Sequence, residues 1–283
     1  MGSKTMLWLL FASSFAQAET SKNYIAEHAI EVDASLELPF DVFDPYRIVA
    51  IGEVHGNDKS PFFVSQLVSS LSARNQVLVG LEILAENQTG IDLFLKTGDF
   101  EILRQLPHFK REFQDGRSSV AIARLLDSLR HMKNVSVVAY DSMATSAQDR
   151  DTKMARNIIA SAKLHPNAKI VLLAGNYHMA IKVGTPFDPN YRPAALELVS
   201  LEESPFETKD IFPIYIRYSK GSSWVCYTDN ANECGSKSFD GESNYSLAIP
   251  SNQYFLPEPS MTEDGYLGSM FLRYVEASPP LIN

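Results

Sequence analysis

Arg47-Ile48-Val49-Ala50-Ile51-Gly52-Glu53-Val54-His55 and Lys169-Ile170-Val171-Leu172-Leu173-Ala174-Gly175-Asn176-Tyr177-His178 share one design. Each is a β-branched and aliphatic run that ends in glycine, with a histidine three residues beyond it. A continuous apolar run of this length, closed by glycine, reads as a strand buried on both faces of a parallel sheet. The residues after such a strand lie in a loop at its carboxyl end, the edge on which open α/β sheets place their ligands. The two histidines are therefore expected on one edge of one sheet.

Between and after these runs, strands and helices alternate. Pro61 to Ala73 has helical spacing through Phe62, Phe63, Leu67, Val68 and Leu71. Gln76 to Leu81 reads as a strand running into Glu82, and Gly90 to Lys96 as a helix. Ser118 to Met132 puts Ile122, Leu125, Leu126 and Leu129 on one helical face. Val135 to Tyr140 is a strand ending at Asp141, and Asp149 to Leu164 a helix. This rhythm predicts an α/β fold, a mainly parallel sheet with helices on both faces. From about residue 202 prolines and Gly/Ser/Asn-rich stretches break the rhythm, and Phe212 to Tyr218 and Ser223 to Tyr227 alternate like two short strands. Residues 19–201 are expected to form the α/β domain, and 202–283 a small β-rich C-terminal extension packed on it, ending in a loosely held tail.

Residues 1–18 have the layout of a signal peptide: Lys4, an apolar stretch from Met6 to Ala12, and Ala16-Gln17-Ala18 as a small-x-small cleavage site. The mature chain would begin near Glu19 and be exported, to the periplasm or beyond the cell. Cys226 and Cys234 fit that destination as one disulfide across a polar turn, since no CxxC spacing or nearby histidine points to a metal. A hydrophobic content of 45% supports a sizeable core. The net charge of −9, without a basic run, argues against nucleic acid or an anionic membrane surface as partner. No run after the leader approaches the ~20 apolar residues of a transmembrane helix. The expected partner is a small molecule or a peptide, and the sequence leaves the oligomeric state open.

Placed on strand ends, Glu53, His55, Glu82, Asp141 and His178 gather carboxylates and imidazoles on one edge. Such groups can hold a divalent metal such as zinc or manganese. Equally, a histidine oriented by a carboxylate can act as a general base on water without metal. Asp141 is also suited to starting a turn. Arg150 and Asp151 open a helix: Asp151 suits the positive helix end, while Arg150 either caps the helix or reaches the cluster to hold a carboxylate or oxyanion. Tyr177 packs, donates to an oxyanion, or ligates haem iron through its phenolate. There is no Gly-x-Ser-x-Gly, no His-Glu-x-x-His and no P-loop, which leaves water as the nucleophile of any reaction.

Ile51-Gly52-Glu53-Val54-His55-Gly56-Asn57 with Pro61, and Arg150-Asp151-Thr152-Lys153-Met154-Ala155-Arg156-Asn157, resemble segments of the Tiki/TraB, erythromycin esterase and ChaN superfamily. The resemblance spans about residues 46–180, and the opening is most similar to ChaN-like proteins. It implies three activities. Tiki-like members are metal-dependent peptidases, which would make His55, Glu82 and His178 ligands of manganese, cobalt or zinc. Erythromycin esterases open lactones by activating water through histidine, although their opening has one more residue between Glu and His. ChaN-like members bind haem for iron uptake. The expectation is thus an exported hydrolase acting on an ester, lactone or peptide bond, metal-assisted or not. His55 and Glu53 would work on water, Glu82 and His178 would support them, and Arg150, Tyr177 and Asp141 would meet the substrate. The alternative is a non-catalytic haem- or iron-uptake protein.

Overall fold

The computed structural model describes residues 22–32, 40–226, 231–241 and 253–282; the expected signal peptide and cleavage site lie outside them. The described strands are β1 (Ile30–Glu31), β2 (Ile48–Glu53), β3 (Val77–Leu84), β4 (Val135–Asp141), β5 (Lys169–Gly175), β6 (Ile211–Val225), β7 (Gly235–Asp240), β8 (Gln253–Pro257) and β9 (Gly268–Val275). They form one sheet in the order β1-β8-β9-β6-β2-β5-β3-β4, with β7 paired to β6. The run from β9 through β6, β2, β5 and β3 to β4 is parallel. β1, β8 and β7 join antiparallel.

The period-2 alternation of strand side chains decides which residues meet which helices. Val49, Ile51, Val79, Leu81, Val171 and Leu173 face one way, onto Phe63 and Val64 of the helix Lys59–Ser72 and Ile122 and Leu126 of the helix Val120–Arg130. Ile48, Ala50, Leu78, Ile170 and Leu172 face the other way, onto Met154 and Ile158 of the helix Ala147–Leu164. Both faces are covered, as continuous apolar strands require. Ser119 and Ser146 cap the latter two helices, accepting from Ile122 N and Asp149 N.

Two features beyond Leu201 differ from the expectation. The two short strands are one 15-residue strand, β6, that runs through the polar Lys220-Gly221-Ser222-Ser223. Ladder partners on both of its edges, Val275 opposite Gly221 and β7 opposite Lys220 to Val225, outweigh the low strand propensity of that stretch. The tail is also not loosely held. Glu276 O accepts from Asp58 N (2.9 Å), Ser278 N donates to Gly56 O (2.8 Å) and Leu281 N to Ser118 O (3.0 Å). This strap runs past the loop after β2. Cys226 and Cys234 form the expected disulfide, with Cα atoms 4.1 Å apart, between the end of β6 and the start of β7. Among the described residues no helix is long and apolar enough to cross a membrane.

Candidate active site

β2 and β5 are neighbours in register, so that Gly52 lies opposite Ala174 and Glu53 opposite Gly175. The two Gly-x-x-His motifs therefore leave the sheet side by side. β3 adds Glu82 from the other side of β5. Its pairing with β4 slips between Leu81 and Leu84, an extra residue at Glu82-Ile83 of the kind that re-aims a side chain at a sheet edge. After β5 the short helical turn Asn176–Met179 carries His178. The second turn of the helix Ala147–Leu164 supplies Arg150 and Asp151.

These groups converge on Glu82. Its Oε2 lies 3.1 Å from His55 Nε2 and accepts from Gly175 N (2.8 Å). Its Oε1 accepts from Arg117 Nη1 (2.9 Å) and Arg150 Nη2 (2.6 Å). Asp141 takes Arg150 Nε (2.7 Å), Arg150 Nη2 (2.8 Å) and Arg117 Nη1 (3.0 Å). Burial alone would raise the Glu82 pKa, but His55, Arg117 and His178 hold it well below the carboxylate range. Gly175 sits close to both rings: a Cβ there would lie 3.0 Å from His55 Nε2 and 3.6 Å from His178 Cδ2. Both imidazoles thus flank one backbone atom.

The two histidines sit in different chemical settings. His55 Nδ1 lies 3.1 Å from Glu53 Oε1, and its Nε2 faces Glu82, so each ring nitrogen meets a carboxylate. Burial would lower its pKa, yet Glu82 and Glu53 overcome that and raise it to about 10. His55 is an imidazolium at neutral pH, with no lone pair to offer. His178 Nδ1 lies 2.7 Å from Asp151 Oδ1, while Arg150 Nη1, which can only donate, lies 3.0 Å from its Nε2. That pattern puts the proton of His178 on Nδ1 and the lone pair on Nε2. Asp151 is itself fixed by Ala194 N (2.8 Å). Side-chain exposure separates the roles: Glu82 and Asp141 are 4% and 2% exposed and Asp151 is closed off, whereas His178, His55 and Arg150 are 15%, 20% and 24% exposed.

Of the residues singled out in the sequence, Glu53, His55, Glu82, Asp141, Arg150 and His178 come together. Arg150 reaches the cluster rather than capping its helix. Asp141 is buried under two guanidinium groups, so contact with substrate is not what it provides. Tyr177 leaves the cluster, is half exposed and packs edge-on against Phe187 (ring centroids 5.8 Å apart). Asp151, expected to meet the helix end, instead orients His178. Arg117 belongs to the site without any mark in the sequence. Arg117 lies in the loop after Lys110, holds Glu82 and Asp141, and is gripped by Asp115 through Nε (3.0 Å) and Nη2 (2.6 Å). Neither strand rhythm nor a motif marks that loop. Asn57, at the end of the first motif, gains a role only in the fold: its Nδ2 donates to Val54 O (2.8 Å) and the Tyr218 hydroxyl (3.1 Å), and its Oδ1 accepts from Ser60 N (2.8 Å). It shapes the turn after His55.

The expectation of a metal on His55, Glu82 and His178 does not fit this geometry. Among the described residues no group of three or more His, Cys, Asp and Glu side chains is arranged to hold a metal ion. Glu82 is saturated by two guanidinium groups, which would repel a cation at that point. Haem iron would obtain a ring nitrogen from His55 or His178 only by displacing a carboxylate or Arg150.

No family model matches the sequence, and no curated protein does. Solved structures do match. A Bacillus cereus protein is 12% identical with a TM-score of 0.62, over 93% of this chain and 99% of that one. A succinoglycan biosynthesis protein is 11% identical with a TM-score of 0.64, also over 93% and 99%. A mutant of the erythromycin esterase EreC in its open conformation is 11% identical with a TM-score of 0.58, over 90% and 99%. This chain shares its fold with these three proteins. The expected resemblance is borne out at the level of the fold, and at these identities it is the fold alone that is shared.

Proposed function

We propose that the protein is a hydrolase that activates water without a metal and cleaves an ester or lactone. One observation carries this reading: the Asp151–His178 pair, in which Asp151 Oδ1 lies 2.7 Å from Nδ1 and the Nε2 lone pair faces Arg150 Nη1 at 3.0 Å. A buried carboxylate that orients a histidine is the arrangement a general base needs. The erythromycin esterase among the structural neighbours supports the same reaction class.

In this reading His178 replaces His55 as the base. Substrate and water enter beside Arg150, whose Nη1 turns from His178 Nε2 to the substrate carbonyl, and the water oxygen adds to the ester carbonyl carbon while its proton passes to the freed Nε2. The negative charge on the former carbonyl oxygen is met by the Arg150 guanidinium and by the positive charge of His55. The carbon–oxygen bond to the alcohol then breaks, and the leaving alkoxide takes the proton from Nε2, which releases acid and alcohol. Glu53 and Glu82 keep His55 charged, while Asp141 and Arg117 keep Arg150 in place. The strands β2 to β5 and their helices carry this chemistry, and the described C-terminal strands close its flank. The protein works after export, a location the disulfide supports.

The test is hydrolysis of p-nitrophenyl acetate by protein dialysed against a chelator, compared with its Asp151→Asn variant. The expected result is activity that survives chelation and falls by about 10²-fold in the variant. Activity that disappears with the metal would overturn the reading. So would an inactive protein that takes up haem stoichiometrically.

A further inference from the structure

Arg150 is the end of a row of guanidinium groups, each sharing a carboxylate oxygen with the next. Glu82 Oε1 accepts from Arg150 (2.6 Å) and Arg117 (2.9 Å), and Asp141 Oδ2 accepts from the same two (2.8 and 3.0 Å). Asp115 Oδ1 in turn accepts from Arg117 Nε (3.1 Å) and from Arg111 Nη2. Donors that share one acceptor lie within about 6 Å of each other, so the row runs without a break from Arg150 to Arg111. The loop that carries Arg111 and Arg117 rests on the first histidine turn, since a Cβ on Gly116 would lie 2.5 Å from Gly56 N.

The open side of the row is made mostly of cations. Arg111, Arg117, Arg150 and His55 are partly exposed, whereas Glu53, Glu82 and Asp141 are buried. Asp115 is partly exposed too, but Arg117 takes it up through Nε (3.0 Å) and Nη2 (2.6 Å). Arg111 is thereby left short of negative charge. Its Nη2 bond to Asp115 is its one hydrogen bond among the described residues, and its Nε is buried with no partner. Burial lowers the pKa of all three arginines. Carboxylates outweigh it at Arg117 and Arg150, whereas at Arg111 the neighbouring Arg117 adds to it and brings the group down to about 10.

Resting on the hydrolase reading above, we infer that the substrate is an anionic ester, with its scissile carbonyl at Arg150 and a second carboxylate, on the acyl part, at Arg111. The side of Arg150 follows from the proton. The leaving alcohol takes it from His178 Nε2, which meets Arg150 Nη1, while Arg117 shares its oxygens with Arg150 Nη2. The acyl part therefore runs the other way, along the row. A carboxylate there supplies the acceptor that the Arg111 fork lacks. The half ester of a six-carbon diacid spans the row, counting one hydrogen bond at each end. Arg111 sets specificity and takes no part in the chemical step.

The experiment pairs kinetics with binding in the full chain. Mono-p-nitrophenyl adipate, which has a free carboxylate, is compared with its methyl ester, which has the same length and no charge. Adipate binding is measured by calorimetry. Both are done in the wild type, Arg111→Gln and Arg111→Met, two neutral replacements of different shape, so that a folding defect in one leaves the other informative. The expected result is kcat/KM at least tenfold higher for the charged substrate in the wild type. Both variants should bring that ratio to about one, through KM rather than kcat, and should lose adipate binding. Equal kcat/KM for the two esters in the wild type, with no adipate binding, would overturn the anion subsite and leave the hydrolase reading intact. A preference that persists in both variants would overturn the role of Arg111. Adipate binding lost in both variants, in a protein that hydrolyses neither ester, would support the subsite and sink the hydrolase reading.

Discussion

Glu82 accepts hydrogen bonds from Gly175 N, Arg117 and Arg150 and faces His55, and its charge sets the state of everything around it. Next to it, His55 stays protonated because both ring nitrogens meet carboxylates. The consequence for stability has a definite sign. The folded-state pKa of His55 is about 10, against an ordinary value of 6.5. Its ion pairs therefore contribute fully below about pH 6.5, and that contribution disappears as pH rises through about 10. Denaturant unfolding of the wild type and His55→Gln should differ by about 3 kcal/mol at pH 6, and the gap should close by pH 10.5. A gap independent of pH would show that His55 is neutral in the folded protein. Glu53, His55, Glu82 and His178 were legible in the sequence because each ends, or nearly ends, a buried apolar run. Asp151 was not: an aspartate near the start of a helix reads as a helix-end charge, and only the fold reveals that it faces His178.

At the level of elements, the β6–β7 hairpin clamps the loop that carries Arg117. Trp224 Nε1 donates to Gln114 O (3.0 Å), Cys226 Sγ lies 3.3 Å from the same oxygen, and Trp224 N donates to Gly56 O (2.8 Å). Gly56 has a φ of 81°, and a Cβ on it would overlap the Trp224 carbonyl, so the turn after His55 admits only glycine there. The disulfide ties the ends of this clamp. A Cys226→Ser/Cys234→Ser variant should lose about 2–3 kcal/mol of stability. With the Arg117 loop loosened, kcat/KM should also fall by about tenfold. Thermal melting and ester hydrolysis check both, and a variant that matches the wild type in each would show that the hairpin holds nothing. The sequence marked the helices through their apolar faces and the strands β2 to β5 through buried runs. β8 and β9 escaped because Pro257 and Pro259 and the polar stretches around them resemble loop, and their long-range ladders override local composition.

For the whole molecule, strand order joins what the sequence keeps apart. The two histidine motifs lie more than a hundred residues apart in the chain. They meet because β5 inserts between β2 and β3, a crossover that local patterns do not disclose. The same order places β6 against β2, so the C-terminal part adds strands to the central sheet and Tyr215 and Tyr218 border the catalytic loop. A chain with a net charge of −9 thus keeps at this edge two arginines and a charged histidine matched against buried carboxylates. The central claim is that His178, not His55, takes the proton from water. The direct measurement is kcat for p-nitrophenyl acetate hydrolysis across pH 5–9 in chelator-treated wild type, His178→Asn and His55→Gln. The predicted result is a loss of about 10³-fold in His178→Asn at the pH of greatest wild-type activity, shrinking towards acid as the base becomes protonated in the wild type, with a smaller loss in His55→Gln. Retained turnover in His178→Asn, with activity abolished in His55→Gln, would contradict it.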